Sequence, residues 1–250
     1  MRQLAAGANH LLKGFSLLNQ PGVRLFVVIP FFINLCIYTA LLVYSIDQFG
    51  LLMDWMVAQL PGWLGWLEWL LWPLFLLLTA LLVAYTFTLL ANLIGAPFNG
   101  FLAEKVARNL GVEPPPEAET RIIPQMLNDV KQEIRKLLYF LARAALLGIA
   151  SLLLIWIPGV NAIVPVLWFL FGAWMLALEY SDFHLANQGY RWNAERELLQ
   201  RHRWAAMGFG ATAAGATLVP IVNFLVMPAA VAGATAMWVE ILKDSPGSGD

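Results

Sequence analysis

Charged residues divide the chain into long apolar stretches and shorter polar ones. Four stretches contain no Asp, Glu, Lys or Arg: residues 25–46, 69–103, 144–178 and 204–239. A helix needs about 20 mostly apolar residues to cross the hydrocarbon core of a bilayer. The pattern therefore predicts an all-α integral membrane protein that is embedded in the lipid bilayer.

The first two stretches have the features of complete membrane spans. Residues 25–46 are interrupted only by Pro30 and Asn34. Residues 73–95 are followed at 96–100 by the run Ala-Pro-Phe-Asn-Gly, whose residues disfavour a continued helix. We therefore expect two long transmembrane helices, the second ending at this run.

The other two stretches carry turn residues near their middle. Ile-Pro-Gly-Val-Asn occupies 157–161 and Val-Pro-Ile-Val-Asn occupies 219–223. The arms on either side have about 14 to 17 residues and would reach about 21–26 Å, less than an apolar core of about 30 Å. We interpret residues 144–178 and 204–239 as two re-entrant helical hairpins that penetrate the bilayer partly. The alternative is that each is a pair of short complete spans in a thinned or tilted environment.

Amphipathic and polar segments complete a single membrane domain, residues 1–250. The predicted order is an interfacial helix at 1–20, spans at 25–46 and 73–95, a cytoplasmic helical insert at 104–143, a hairpin at 144–178, a cytoplasmic insert at 179–203, a hairpin at 204–239 and a tail at 240–250. Apolar residues recur at helical spacing in 1–20 and again in 124–143, which is typical of amphipathic helices.

The distribution of basic residues predicts the orientation. Of the 15 Lys and Arg residues, three precede the first span, none lies in the loop 47–68, and the rest follow the second span. Because short cytoplasmic loops are enriched in Lys and Arg, we expect both termini in the cytoplasm. The net charge of −1 provides no basic field for nucleic acid.

Motifs for enzymatic chemistry are absent from the sequence. It contains no GxxxxGK[ST], GxGxxG, GxSxG or HExxH motif. Its three histidines are scattered, and its one cysteine, Cys36, lies in an apolar run. The sequence thus predicts neither an enzyme nor a cofactor, and no metal site.

The segment Gln20-Pro21-Gly22-Val23-Arg24 has the chemistry of an anion site. Proline favours the first turn of a helix, and the N–H groups of Gly22, Val23 and Arg24 would be free at its start. Glycine lets an oxyanion approach the backbone, and arginine adds a forked donor. The alternative is a plain helix break followed by an arginine that anchors the chain at the cytoplasmic side.

A second set of charged residues could border a permeation path. Glu104 and Arg108 are four residues apart on one predicted helix, and Arg135 lies on the next amphipathic helix. If these helices packed against the hairpins, they would line a wet vestibule of alternating charge. A solvated face with an ordinary helix pair is the alternative.

Several motifs, taken in order, resemble the bacterial CysZ sulfate permease family. They are Gln20 to Arg24, Ala96-Pro97-Phe98-Asn99-Gly100 with Leu102-Ala103-Glu104, the stretch from Pro165 through Ala177, and the stretch from Met227 through Val239. The resemblance covers almost the whole chain. It implies an oligomeric inner-membrane protein that imports sulfate for cysteine biosynthesis, with two long helices and two pairs of partly penetrating hairpin helices.

The resemblance also maps the sulfate-binding turn of that family onto Gly22, Val23 and Arg24. Leu25 stands where relatives often have a second arginine. The resemblance is compatible with both proton-coupled transport and passive flow of the anion. It is also compatible with sulfite, thiosulfate or selenate as the ligand. A rival hypothesis is a membrane scaffold that anchors a partner through the inserts at 104–143 and 179–203.

Overall fold

The structure is a computed structural model that describes residues 2–59, 62, 66–113, 122–157 and 159–242. Within these ranges it contains no strand, and the all-α prediction is confirmed. The helices are α1 (Arg2–Leu17), α2 (Leu25–Gln59), α3 (Leu67–Asn109), α4 (Ile122–Leu154), α5 (Ile163–Asn187), α6 (Trp192–Arg201), α7 (Arg203–Thr217) and α8 (Pro220–Met237), followed by a π-helical turn (Trp238–Leu242).

The chain folds as two compact units. Residues Leu25–Phe98 form one of them, and Met1–Arg24 together with Asn99–Asp250 forms the other. The first unit therefore holds α2 and most of α3. The second holds α1, the last turns of α3 and all the later helices. The single membrane domain proposed from the sequence stays a prediction.

In the first unit, both helices are longer than the apolar runs that predicted them. α2 continues beyond Ile46 to Gln59, and Phe49 on it packs edge-on against Trp72 with ring centroids 4.7 Å apart. α3 continues through Pro97 to Asn109, so the expectation that it ends at 96–100 was wrong. A proline inside a helix removes one hydrogen bond and can be accommodated by a bend, so it does not have to end the helix.

In the second unit, both predicted turns are present. One lies between Leu154 at the end of α4 and Ile163 at the start of α5. The other is shorter than expected, because Pro220 is already the first residue of α8 and the Asn223 N–H donates to the Val219 carbonyl at 2.9 Å. Proline is preorganised for the first position of a helix, which explains why the turn ends there.

The arms of the first hairpin are longer than the sequence indicated. α4 has 33 residues and merges the predicted amphipathic helix with the first arm, while α5 has 25 residues and extends beyond Leu178. By length and composition alone, four helical segments among the described residues are apolar enough to cross a membrane: Leu25–Leu52, Lys131–Leu154, Ile163–Asn187 and Val222–Ile241. The predicted arm length of about 14 to 17 residues was therefore wrong for this hairpin. Its partial penetration of the bilayer stays a prediction.

Small residues bring α1, α7 and α8 into backbone contact. A Cβ added at Gly7 would lie 1.9 Å from the Ala205 carbonyl oxygen, and one added at Gly14 would lie equally close to that of Ala229. Only glycine fits such an approach, as in closely packed membrane helices. Helix α1 is thus built into the bundle, and α8 and α7 form its support.

The buried face of α1 differs in part from the predicted apolar stripe. Leu11 is buried, as expected, whereas Leu12 is 60% exposed. Gly7, His10 and Gly14 are buried instead, because backbone contact requires small residues on the packed side. The interfacial location of residues 1–20 stays a prediction.

Candidate functional site

A tight turn follows α1 and carries the predicted anion-binding residues. The Gln20 carbonyl accepts a hydrogen bond from the Val23 N–H at 3.2 Å, and Gly22 has a φ of 81°. Proline at the second position and a positive-φ glycine at the third are the signature of a type II turn. The local sequence Gln-Pro-Gly-Val therefore accounts for the conformation.

Val23 fixes this turn in the protein. Its side chain is 0% exposed, while the residues on either side, Gly22 and Arg24, are exposed. Because its own N–H is bonded to Gln20, the expectation of three free N–H groups was wrong for Val23. In the part of the chain that the structure describes, the N–H groups of Gly22 and Arg24 donate to no backbone carbonyl. Two exposed residues of the turn thus have N–H groups without a backbone acceptor among these bonds.

The Arg24 side chain folds back over the turn. Its Nε donates to the Asn19 carbonyl oxygen at 2.9 Å. This bond orients the guanidinium while leaving the terminal nitrogens exposed, with no partner among the described residues. A guanidinium held in this way can donate to an oxyanion with little further loss of side-chain freedom.

The last turns of α3 lie beside the turn. Asn109 Nδ2 donates to Gln20 Oε1 at 2.9 Å. One helical turn earlier, Lys105 reaches over Gly22, since a Cβ added there would lie 3.0 Å from Lys105 Cε and 3.7 Å from its Nζ. In the sequence, Lys105 is only the residue that follows Glu104. No local pattern could have placed it against a turn so distant along the chain.

Glu104 and Arg108 form a pair on the same stretch of α3. Arg108 Nη2 lies 2.5 Å from Glu104 Oε1, with side chains 55% and 33% exposed. Leu102 and Val106 are fully buried and anchor the opposite face of the helix. The structure thus brings Glu104 and Arg108 close to the Gly22–Arg24 turn. Arg135 on α4 is exposed and contacts none of these residues in the described part of the chain.

A buried polar cluster lies away from this site, where α4, α5 and α6 meet. Lys136 Nζ is 2.5 Å from Asp182 Oδ2 and 3.3 Å from a Glu133 oxygen. Glu195 on α6 is 1% exposed, and burial followed by repulsion from Asp182 raises the pKa of its carboxyl. Asp182 is thus an ion-pair partner of lysine, and the described residues contain no group of three side chains arranged to bind a metal.

Comparison with known proteins places these features in a family. The family model described as Sulfate transporter CysZ/Etoposide-induced protein 2.4 matches residues 10–228. This chain belongs to that family. The match includes the turn at 20–24, the end of α3 and both turns between paired helices. The resemblance inferred from the motifs is confirmed.

Individual relatives cover almost the full length. A sulfate transporter CysZ of Pseudomonas paraeruginosa (strain DSM 24068 / PA7) is 44% identical over 94% of each chain. Another from Pseudomonas fluorescens (strain SBW25) is 45% identical over 94% of this chain and 91% of its own. A third, from Pectobacterium atrosepticum, is 39% identical over 94% and 85%. The family description is that of a transporter and names no enzymatic activity for these relatives.

Proposed function

We propose that this protein imports sulfate across the bacterial inner membrane into the cytoplasm, where cysteine biosynthesis consumes it. The observation that carries the proposal is the turn at 20–24. Buried Val23 holds it in place, while Gly22 and Arg24 are exposed and their N–H groups have no backbone acceptor. The close relatives that are named as sulfate transporters support the same ligand.

The chemistry of the turn fits a tetrahedral oxyanion. Backbone N–H groups and a guanidinium donate charge-assisted hydrogen bonds to oxygens that carry negative charge. Glycine at position 22 has no side chain of its own that would keep the ligand away from the backbone. These groups recognise charge and shape, so sulfite, thiosulfate and selenate belong in the binding panel.

Partial penetration of the hairpins is supported by the position of a groove whose mainly apolar lining includes two polar side chains, Gln200 and Arg203. Trp174 on α5 lines a groove of about 700 Å³ together with Gln200 and Arg203 near the junction of α6 and α7. At the usual helical rise, the part of α5 between its start and Trp174 is about 17 Å long. The part of α7 between Arg203 and its end is about 21 Å long. If Gln200 and Arg203 stay in water, the arms reach about half to two-thirds of the way through a core of about 30 Å.

Import of sulfate requires a driving force. Moving a doubly negative ion against an inside-negative potential costs about 4.6 kcal/mol per 100 mV. Proton-coupled movement and flow maintained by cytoplasmic consumption are the two mechanisms that can offset this cost. Sulfate uptake measured with and without an imposed pH gradient separates them.

Uptake of labelled sulfate into liposomes that contain the purified protein tests the proposed function. We expect uptake above that of empty liposomes, and a large loss in Arg24→Ala. Arg201→Ala is the matched control, because Arg201 is an exposed arginine on α6 that is paired with Glu197. Normal uptake by Arg24→Ala would show that transport does not depend on this arginine.

The rival scaffold hypothesis predicts a different result. It would be favoured if the wild type neither transported nor bound sulfate but captured a soluble partner through residues 104–143 or 179–203.

Orientation and assembly complete the proposal. The one-sided Lys and Arg distribution supports cytoplasmic termini, which accessibility of an added C-terminal cysteine in inverted and right-side-out vesicles would test. We propose a homo-oligomer, because apolar helices of a transporter can bury surface against identical copies. Native mass spectrometry of the purified protein would measure the copy number.

A further inference from the structure

The end of the Lys105 side chain lies beside the turn at 20–24. Its Cε would be 3.0 Å from a Cβ built on Gly22, which places the end of the side chain directly over the glycine. The Gln20–Asn109 hydrogen bond of 2.9 Å joins the same turn to α3 one helical turn further on. Residues four apart share a helix face, so Lys105 and Asn109 hold the turn from one side.

The ammonium of Lys105 is not neutralised by a carboxylate in the described part of the chain. Glu104, the adjacent acid, is bound by Arg108 at 2.5 Å. By contrast, Lys13 is paired with Glu240 and Lys136 with Asp182. A cation held without a counter-charge beside N–H groups that have no backbone acceptor creates a local positive potential that favours an anion.

We infer that Lys105 is a direct sulfate-binding residue that completes the site at the turn. This inference rests on the proposed function. Sulfate carries two negative charges, and Arg24 supplies one positive charge. Lys105, whose Nζ would lie 3.7 Å from a Cβ built on Gly22, supplies the second, so that two cations and the backbone N–H groups bind one dianion. The expected ligand class is a doubly charged tetrahedral oxyanion, bound in preference to a singly charged one.

Equilibrium binding to the purified full-length protein tests the inference. Titration calorimetry with sodium sulfate and with sodium nitrate would compare the wild type, Lys105→Gln and Lys105→Arg. Lys131→Gln is the matched control, because Lys131 is an exposed lysine with no ion-pair partner among the described residues. Thermal unfolding of each variant establishes that the fold is retained.

We expect Lys105→Gln to bind sulfate about tenfold more weakly, the loss typical of one charge-assisted hydrogen bond, with a much smaller change for nitrate. Lys105→Arg should restore most of the affinity, and Lys131→Gln should bind like the wild type. A purely structural role would weaken both anions equally. If the wild type binds sulfate and Lys105→Gln binds it with the same affinity and selectivity, the inference is overturned and the proposed function stands. If the wild type binds no sulfate, the proposed function fails with it.

Discussion

The contact of α1 with α8 provides a direct test of how the bundle is packed. In Gly14→Ala, the new methyl group would lie 1.9 Å from the Ala229 carbonyl oxygen and 2.9 Å from the Gly233 nitrogen. Both neighbours are backbone atoms, so no side-chain rotation can relieve the overlap. One of the two helices must move by more than 1 Å to reach the shortest ordinary separation of 3.0 Å.

The expected cost follows from two opposing effects. Overpacking a tight interface costs about 1–3 kcal/mol. Alanine is better than glycine inside a helix by at most about 1 kcal/mol. Because the clash is between backbones, we expect the upper end of the first range and a net loss of about 2 kcal/mol in the free energy of unfolding. For a chain of this size that corresponds to a melting temperature lower by about 4–8 °C.

Thermal unfolding in a single detergent measures this effect, with Gly148→Ala as the control. A Cβ added at Gly148, inside α4, meets nothing within 4 Å. We expect that variant to melt at or slightly above the wild-type temperature. The packing argument would be refuted if Gly14→Ala were as stable as Gly148→Ala.

Three further predictions concern the site and the buried acids. Gly22→Ala should weaken sulfate binding in calorimetry, because alanine is strained by about 1 kcal/mol at a φ of 81° and its methyl group would approach Lys105. Arg108→Ala should lower sulfate affinity several-fold by leaving the Glu104 carboxylate unpaired near the turn, and adding Glu104→Gln should restore it. Burial raises the pKa of Glu195, so the folded state binds more protons than the unfolded state and stability is lost as pH rises above 4.5. The melting temperature of Glu195→Gln should therefore increase relative to that of the wild type between about pH 5 and pH 8.

Each of these three predictions has a control variant with the same type of substitution at another position. Gly111 has the same φ of 81° with nothing nearby, so Gly111→Ala should destabilise the protein without changing sulfate affinity. Arg201→Ala breaks an equivalent pair with Glu197 on α6, 2.8 Å long. Glu197→Gln is the matched substitution for Glu195→Gln, at a side chain that is 64% exposed. Equal effects of a variant and its control would contradict the corresponding explanation.

The sequence predicted the helical class and the positions of both hairpin turns, because these depend on local chemistry. Uninterrupted apolar runs favour helices in lipid, where every backbone group must be paired internally. Proline and glycine at 157–161 and proline at 219–223 then mark the places where the helices reverse. The turn at 20–24 was predicted for the same reason.

Features that depend on contacts between distant segments could not be predicted from the sequence. Residues 124–143 were predicted as an amphipathic helix separate from the hairpin at 144–178, whereas α4 joins the two, and Lys136 on it pairs with Asp182 on α5. The hydrogen bond of the Val23 N–H follows from the type II turn, which the Pro-Gly pair could have indicated. Lys105 reaches Gly22 only because the fold brings α3 to the end of α1.

The central claim is that the turn at 20–24 binds sulfate. The position of the bound ligand in a crystal tests this claim directly. Selenate has the charge and shape of sulfate and scatters X-rays anomalously, so a crystal of the full-length protein grown with selenate would show its position. We expect one strong peak within hydrogen-bond distance of the N–H groups of Gly22 and Arg24 and of the Arg24 guanidinium. A peak elsewhere in the protein, with none at the turn, would contradict the account.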